Sequence, residues 1–578
     1  MTSEHQDPTA PLDTRGMAAQ PRRTDPDFDL LIRHASRALD PTTAVRFRDQ
    51  QVHPTVYGGS RLLVRPTVDE DAVLERLREI ASEFDLDVEV NAEDERLRQL
   101  AREAGISPQE PQPLLRRIEL VPRSAEGLVQ LPDAWPVLQR FRASYPANAP
   151  QRTAVQLDHV LTSHSDSIVG TPYWKIPGTT GNPYWKIPSG NPYLDVPSGI
   201  AEYARPGFGG RAPVAWVGPE PATRPEYPPD GQRWPVIAVL DTAIAEHRWF
   251  PEGIVIRDVR CADLSIGLPD HADGATEEPD RRIPLDGQLG PTEGHGTFIA
   301  GLIRQKCPTA TILSVQVIQD DGVVAEADLL EALNKLWLRQ KLAIINNRPE
   351  DLIDVVSMSL GYYHEDYADL AFDPLLLAPI RALAQLGVAI IVSSGNDATT
   401  RPMYPAAFAP YPDGVISDVL PDELPVVAVG ASNPDRSVAL FSNEGPWVRA
   451  HRPGVSLVST LPPTDAAGSP SVEFETDVKE PALREPYGKT LRSTLDPDDF
   501  TAGFGVWSGS SFAAPILAGE IAAHLTAMGL PPADDVDPRH AVTRGWDAIS
   551  ARVPTLQRPG QKSGYRTGDA RDAAGAAQ

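Results

Sequence analysis

The chain contains 578 residues, enough for two or three domains, and its 79 acidic and 53 basic residues give a formal net charge of −26. That charge, without any basic patch, argues against binding to nucleic acid or to an anionic membrane surface. Only two cysteines are present, which argues against a disulfide-built secreted scaffold. Because residues 1–29 fit no export signal and no run of about 18 apolar residues occurs, we expect a cytoplasmic protein without a membrane-spanning helix.

The N-terminal part is predicted to combine a flexible segment with a small domain. Residues 1–55 are polar and contain several prolines, a composition typical of disorder. Residues 56–161 alternate strand-like apolar runs with stretches of helical spacing. The predicted order is close to β-α-β-β-α-β, with one extra helix over residues 93–103. An α+β binding module unrelated to any enzyme is the alternative for this region.

Residues 162–230 are predicted to be a linker rich in proline and glycine. The run Pro-Tyr-Trp-Lys-Ile-Pro at 172–177 recurs at 183–188 and, more loosely, at 192–197. Proline disfavours both helix and sheet and keeps the chain extended. The repeat region, 171–199, is therefore either a linker that duplicated by slippage or an extended segment that docks on a partner or in a substrate cleft.

Three polar residues in the second half of the chain are candidates for catalysis. Asp241 ends the apolar run 235–240, which predicts a buried parallel strand with its site at the carboxyl end. His295 lies between two glycines at the start of an apolar helix, and Ser511 lies in a small-residue turn where another helix begins. Taken singly, each favours a helix cap or a buried core histidine. Together they supply the acid, base and nucleophile that acyl transfer requires.

In the order of these three residues and in the segments around them, the chain resembles the subtilisin-like serine proteases, or subtilases. The resemblance covers residues 234–530 and implies an α/β fold, a mostly parallel sheet with helices on both faces. It implies that Ser511 attacks the scissile carbonyl, that His295 takes its proton, and that Asp241 orients the imidazole. It further implies that residues 56–161 are similar to the ferredoxin-like propeptide that precedes many subtilase domains and both chaperones and inhibits them.

The same resemblance assigns the substrate-facing residues. Asn396, after an apolar strand, is expected to supply one donor of the oxyanion hole, and the Ser511 N–H the other. Two backbone segments are expected to line the substrate cleft: Ser359, Leu360 and Gly361, and Ser393, Ser394 and Gly395. Tyr362-Tyr363-His364 follows Gly361 where another glycine is usual, so the fine specificity is left open. No cofactor is required; structural calcium is common in the family, but no metal ligand can be named from this sequence.

We therefore expect a serine endopeptidase that acts on protein or peptide substrates and is restrained by its N-terminal domain. The catalytic domain is predicted at 231–530, with a surface insertion at 461–502 and a flexible tail at 531–578. Two alternatives stay open. One is a regulated effector protease of a multi-component cytoplasmic system, in which 56–161 or 171–199 binds a regulatory protein. The other is a catalytically silent subtilase fold that binds peptides.

Overall fold

The computed structural model describes most of the two predicted domains. The described residues are 35–40, 42–45, 52, 55–66, 69–107, 112–123, 131–146, 149–163, 203, 209–216, 218–268, 292–318, 322–363, 374–412, 414–463, 474–475, 491–492, 499–529 and 531–560. The repeats at 171–199 and most of the insertion at 461–502 lie outside these residues.

The N-terminal unit is an antiparallel sheet with helices packed on it. Its elements are β1 (Ser36–Leu39), β2 (Thr55–Val64), α1 (Glu70–Glu83), β3 (Leu86–Val90), α2 (Ala92–Glu103), β4 (Arg116–Pro122), α3 (Ala134–Ala143) and β5 (Val155–Ser163). The strands β5, β2, β4 and β3 lie side by side, and β1 pairs with β2. Val73, Leu77 and Ile80 of α1 are buried in the core of this unit, as their helical spacing predicts. The prediction of a flexible segment up to residue 55 is wrong for β1, because its pairing with β2 satisfies its backbone groups.

The second unit is built on a parallel sheet. Its elements begin with β6 (Ala212–Pro213), β7 (Val236–Asp241), β8 (Val255–Ile256), β9 (Arg260–Cys261), β10 (Leu264–Ser265), α4 (His295–Lys306), β11 (Thr311–Gln316), β12 (Val323–Ala325) and α5 (Glu326–Ile345). They continue with β13 (Val355–Met358), β14 (Leu360–Gly361), α6 (Pro374–Gln385), β15 (Ala389–Ser393), β16 (Val426–Ser432), β17 (Val448–Pro453), β18 (Leu457–Thr460), β19 (Phe474–Glu475), β20 (Leu491–Arg492), β21 (Phe504–Trp507), α7 (Ser510–Ala527) and α8 (Pro538–Arg552).

The strand order of the large sheet is β17-β16-β15-β13-β7-β11-β8, and the pairings in it are parallel. Alternate residues of β7 enter different cores: Ala238 and Leu240 face the core that contains α5 and α6, whereas Ile237 and Val239 face the core that contains α4 and α7. A strand covered on both faces is expected to be apolar, and β7 is apolar from Val236 to Leu240. The predicted α/β fold class is confirmed, and Asp241 lies at the carboxyl end of a central strand.

The C-terminal region forms a helix that the sequence analysis missed. We predicted a flexible tail from residue 531, but α8 spans Pro538–Arg552 and packs on the core that contains α7. Val542, Trp546 and Ile549 are buried, and the Trp546 indole N–H donates to the Glu423 carbonyl at 3.0 Å. Their spacing forms one apolar stripe, which outweighs the polar composition of the segment.

Candidate active site

The strand end of β7 and the start of α4 bring Asp241 and His295 together. His295 Nδ1 lies 2.7 Å from Asp241 Oδ1, and both side chains are fully buried. The same carboxylate oxygen accepts the Thr242 N–H at 2.8 Å, which fixes the orientation of the carboxylate. A carboxylate at Nδ1 leaves the other ring nitrogen, Nε2, as the one that can accept a proton. Nε2 is buried and has no hydrogen-bond partner among the described residues.

Ser511 lies in the first turn of α7, as its small-residue turn predicts. Two aromatic residues near it in the sequence contact the imidazole: the His295 ring centroid is 5.1 Å from that of Phe512, the next residue, and 5.6 Å from that of Trp507, at the end of β21. Ser511 Oγ is buried and, like His295 Nε2, has no hydrogen-bond partner within the described part of the chain. A hydroxyl at a helix start lies near the positive end of the helix dipole, which favours developing negative charge.

The turn before Ser511 also holds Asn396. The Ser510 N–H donates to Asn396 Oδ1 at 2.8 Å, and Ser510 Oγ accepts the Gly395 N–H at 3.1 Å. With its oxygen engaged in this way, the amide of Asn396 turns its nitrogen toward the nucleophile turn, where it lies 3.5 Å from an ideal Cβ built on Gly509. Asn396 is fully buried. An amide donor fixed beside a nucleophile is the geometry that stabilises an oxyanion.

The first predicted cleft segment carries a strand of the N-terminal unit. Leu360 and Gly361 of β14 pair antiparallel with Ser163 and Thr162 at the end of β5. On its other side β5 pairs antiparallel with β12 of the second unit, which contains the predicted catalytic domain and is named the catalytic unit. Ser359, just before β14, donates its hydroxyl to the Ser511 carbonyl at 2.8 Å. A peptide-like strand therefore occupies the space between β12 and β14 and runs toward the nucleophile.

The second predicted cleft segment lies at the end of β15. Ser393 ends that strand, and the Ser394 N–H donates to the Val429 carbonyl of β16 at 3.0 Å. Gly395 has a φ of 105°, and an ideal Cβ on it would lie 2.2 Å from the Asn443 amide nitrogen. Only glycine fits this position, which is next to Asn396. The first predicted segment thus contacts Ser511 through Ser359, and the second contacts the neighbouring Ser510 through Gly395.

Sequence reasoning undervalued two residues that position the site. One is Ser510, whose backbone N–H donates to the Asn396 side chain and whose hydroxyl accepts the Gly395 N–H. Thr242 was not singled out, yet its hydroxyl accepts the Gly296 N–H at 2.8 Å and so joins β7 to the start of α4. Both lie next to a motif residue, and that proximity was the available signal.

Comparisons with known proteins agree with this geometry. A sequence profile described as the subtilase family matches residues 233–541, more than half of the chain. The chain belongs to the subtilase family. The match contains each residue of the candidate site and also includes the first residues of α8.

The curated relatives that this subtilase resembles are bacterial and fungal serine proteases. It is 26% identical to the minor extracellular protease Epr of Bacillus subtilis over 36% of this chain and 28% of that protein. It is 31% identical to an intracellular serine protease of Paenibacillus polymyxa over 41% of this chain and 74% of that protein. Among solved structures, fervidolysin from Fervidobacterium pennivorans, a keratinolytic enzyme related to subtilisin, matches with 16% identity and a TM-score of 0.40, over 86% of this chain and 60% of that chain. The chain spans only about a quarter to a half of the first curated relatives it matches.

Within the ranges that the structure describes, no helix is long and apolar enough to cross a membrane. In the same part of the chain, no three histidine, cysteine, aspartate or glutamate side chains are grouped so that they could hold a metal ion.

Proposed function

We propose that this subtilase is a serine endopeptidase that uses Ser511, His295 and Asp241. The observation that carries the proposal is the buried 2.7 Å contact between His295 Nδ1 and Asp241 Oδ1, next to a helix start that bears Ser511 and is bonded to Asn396. Burying a polar atom without a hydrogen-bond partner is costly, so the unpartnered Ser511 Oγ and His295 Nε2 favour catalysis over a silent peptide-binding fold.

The proposed reaction begins when a peptide carbonyl lies beside Ser511 Oγ. The oxygen forms a bond to the carbonyl carbon while its proton moves to His295 Nε2, and the carbonyl π electrons move to the oxygen. Asn396 and the Ser511 N–H donate to that oxyanion, and Asp241 stabilises the imidazolium. The C–N bond then breaks as His295 returns the proton to the leaving amine, and water hydrolyses the acyl-enzyme by the same steps.

A comparison of protein N-termini tests this activity. A protein mixture treated with the wild-type enzyme is expected to gain new N-termini that are absent after treatment with Ser511→Ala. Equal sets of new N-termini from both proteins would contradict the proposal, because Ser511→Ala removes the nucleophile and leaves the fold's surface unchanged.

We also propose that the N-terminal unit restrains the active site. Strand β5 lies where a substrate strand would pair, and Ser511 is 1% exposed and His295 fully buried. Added strands bind chiefly through backbone hydrogen bonds, so β5 and a substrate compete for the same partners. Substrate entry therefore requires β5 to leave the space between β12 and β14.

Buried polar contacts hold β5 at the start of α5. Asp158 Oδ1 accepts the Ala327 N–H at 2.9 Å, which satisfies one of the free N–H groups of the helix. His159 Nδ1 lies 2.6 Å from Glu326 Oε2, and both side chains are buried. Arg117 pairs with Asp94 of its own unit at 2.9 Å and with Glu331 of α5. The Asp158 contact requires a defined register of β5, because a one-residue slip would face this side chain away from the helix.

The extra helix of the N-terminal unit, α2, is a second anchor. Leu97, Leu100 and Ala101 belong to the same apolar core as Val259 and Ile266 of the catalytic unit. Arg96 of α2 also forms an ion pair of 3.1 Å with Asp263 of the catalytic unit. Burying each leucine contributes roughly 1.5–3 kcal/mol, so α2 strengthens docking beyond what β5 provides. We therefore expect the N-terminal unit to stay bound to the second unit after the linker is cut.

A protease site inserted into the linker at residue 190 tests the restraint. After cleavage, the two fragments of the wild-type sequence are expected to elute together in gel filtration and to show low peptidase activity. The same protein with Leu97→Asp and Leu100→Asp is expected to separate and to gain activity at least ~10-fold. Wild-type fragments that are as active as the separated variant would contradict the restraint, and wild-type fragments that separate would contradict the anchor.

We propose a cytoplasmic location, because the chain covers 74% of a relative named an intracellular serine protease but only 28% of one named extracellular. Cell fractionation with an antibody to the chain tests the location.

A further inference from the structure

A crevice opens beside Ser511 where two neighbouring strands separate. Strands β13 and β15 are paired up to Met358 and Val392. Beyond that point, Ser359–Gly361 turns to pair with β5, whereas Ser393–Asn396 runs to the oxyanion hole. Crevices of this kind at the carboxyl ends of parallel strands are where α/β proteins bind ligands.

The crevice receives one particular substrate side chain. A substrate that pairs with β14 as β5 does brings its scissile carbonyl to Asn396 and Ser511. The side chain of the residue that carries this carbonyl then lies between the two walls, next to Gly395. The depth of the crevice therefore decides which residue the enzyme accepts before the scissile bond.

A hydrogen bond from Tyr363 links the two walls at the far end of the crevice. This residue comes two positions after Gly361, and its hydroxyl donates to Asp397 Oδ2 at 2.7 Å, one position after Asn396. The Asn443 amide donates to the same hydroxyl at 2.9 Å and accepts the Asp397 N–H at 2.9 Å. Tyr363 follows the first wall, Ser359–Gly361, and Asp397 follows the second wall, Ser393–Asn396. The hydrogen bond between these two residues, 34 positions apart, therefore joins the ends of the two walls.

Backbone and packing contacts reinforce this closure. Tyr362 exchanges two backbone hydrogen bonds of 2.9 Å with Tyr404, and Met403, just before it, is buried. Behind Gly395, the Met403 sulfur lies 2.5 Å from an ideal Cβ, so the floor is filled by side-chain atoms. Burial raises the pKa of Tyr363 well above its usual value, and the nearby Asp397 raises it further, so the phenol stays a neutral donor.

We propose that the Tyr363–Asp397 pair determines specificity by closing this crevice, which restricts the residue before the scissile bond to a small side chain such as Ala, Ser or Gly. The inference rests on the proposed endopeptidase activity and adds its substrate class. A large side chain would have to break the pair or displace Met403.

Peptidyl phosphonate probes that label Ser511 test the inference on the full chain. Three probes differ only in the residue next to the phosphorus: Ala, Phe or Lys. The wild-type enzyme is expected to react with the Ala probe at least ~10-fold faster than with the other two. Because all three rates come from one preparation, their ratios do not depend on the folded fraction or on competition by β5.

Variants separate the two parts of the proposed pair. Tyr363→Gly is expected to raise the rates with Phe and Lys relative to Ala by ~10-fold or more. Tyr363→Gly with Asp397→Asn is expected to keep the gain with Phe, because removal of the Tyr363 side chain is what opens the crevice. Tyr227→Gly, an exposed tyrosine on the segment before β7, is the matched control and should leave the ratios unchanged.

The outcomes distinguish this inference from the activity on which it rests. Suppose that a generic fluorophosphonate labels Ser511. A wild-type preference for the Phe or Lys probe, or ratios that are unchanged in Tyr363→Gly, would then overturn the crevice closure alone. Failure of every probe, including the generic one, to label Ser511 in the protein with the cut linker and with Leu97→Asp and Leu100→Asp would overturn the endopeptidase proposal and this inference with it.

Discussion

Gly296 controls how closely the side chains of Asp241 and His295 approach each other. An ideal Cβ on this glycine would lie 2.2 Å from the Thr242 carbonyl oxygen, so any side chain would force α4 away from the end of β7. Its N–H donates to the Thr242 hydroxyl at 2.8 Å and fixes the same distance from the other direction. The His295–Asp241 contact therefore depends on a residue that takes no part in proton transfer.

Asn396→Ala is expected to lower kcat by ~100- to 1000-fold, the range known for subtilisin, a member of the same family, with little change in KM. The hydrogen bond to the oxyanion forms fully only in the transition state, so its loss affects turnover more than binding. Steady-state kinetics with a peptide substrate measures both constants, and Asn346→Ala, at an exposed position after α5, is the control. An unchanged kcat with a raised KM would assign Asn396 to ground-state binding instead.

At the scale of elements, the first turn of α5 contacts the N-terminal unit and carries Asp328, an acid whose charged form is disfavoured in the folded protein. Burial and, next, the charge of Asp158 on β5 raise the pKa of Asp328 from 3.8 to about 6, although Arg61 acts in the opposite direction. An acid whose pKa is higher in the folded state favours folding while it is protonated. This contribution is full below pH 3.8 and is lost as the pH rises through about 6.

Asp328→Asn is therefore expected to stabilise the protein at pH 8, by roughly 1–3 kcal/mol, and to have a smaller effect at pH 4. Urea unfolding of the full chain at both pH values measures the difference in free energy of unfolding. Asp230→Asn, at an exposed position before β7, should show no such difference. A variant that is destabilised equally at both pH values would mean that Asp328 is held by attraction to Arg61 rather than repelled by Asp158.

Helix α8 is expected to be part of the cooperative fold rather than an appendage. Trp546→Ala removes a fully buried indole and its hydrogen bond to Glu423, which should lower the free energy of unfolding by about 3–5 kcal/mol. Met528→Ala, at a side chain that is 64% exposed after α7, is the control. A change below about 1 kcal/mol for Trp546→Ala would indicate that α8 unfolds separately.

For the whole molecule, local patterns predicted the catalytic core, whereas contacts between distant segments could not be predicted. Asp241, His295 and Ser511 each lie at a strand end or helix start, and those positions are visible in the sequence around them. The spacing of Leu97 and Leu100 predicts an amphipathic helix, but not that its apolar face packs on the catalytic unit. The Tyr363–Asp397 bond joins the ends of two strands, so it depends on how far those strands separate.

The organisation of the whole chain follows from these contacts. β5 extends from the N-terminal sheet into the cleft of the parallel-sheet unit, so one strand belongs to both the restraint and the site. The two units then share a sheet and an apolar core. We therefore expect the protein to be active only when β5 leaves the space between β12 and β14. The central claim is that a competent Ser511 nucleophile lies beneath that strand.

Labelling with a fluorophosphonate, followed by peptide mass mapping, tests this claim most directly. In the protein with the cut linker and with Leu97→Asp and Leu100→Asp, we expect one adduct, on Ser511. The adduct should be lost in His295→Ala, because a serine without its base is not nucleophilic at neutral pH. An unlabelled Ser511 in this separated protein, or labelling that persists at the same rate in His295→Ala, would contradict the account.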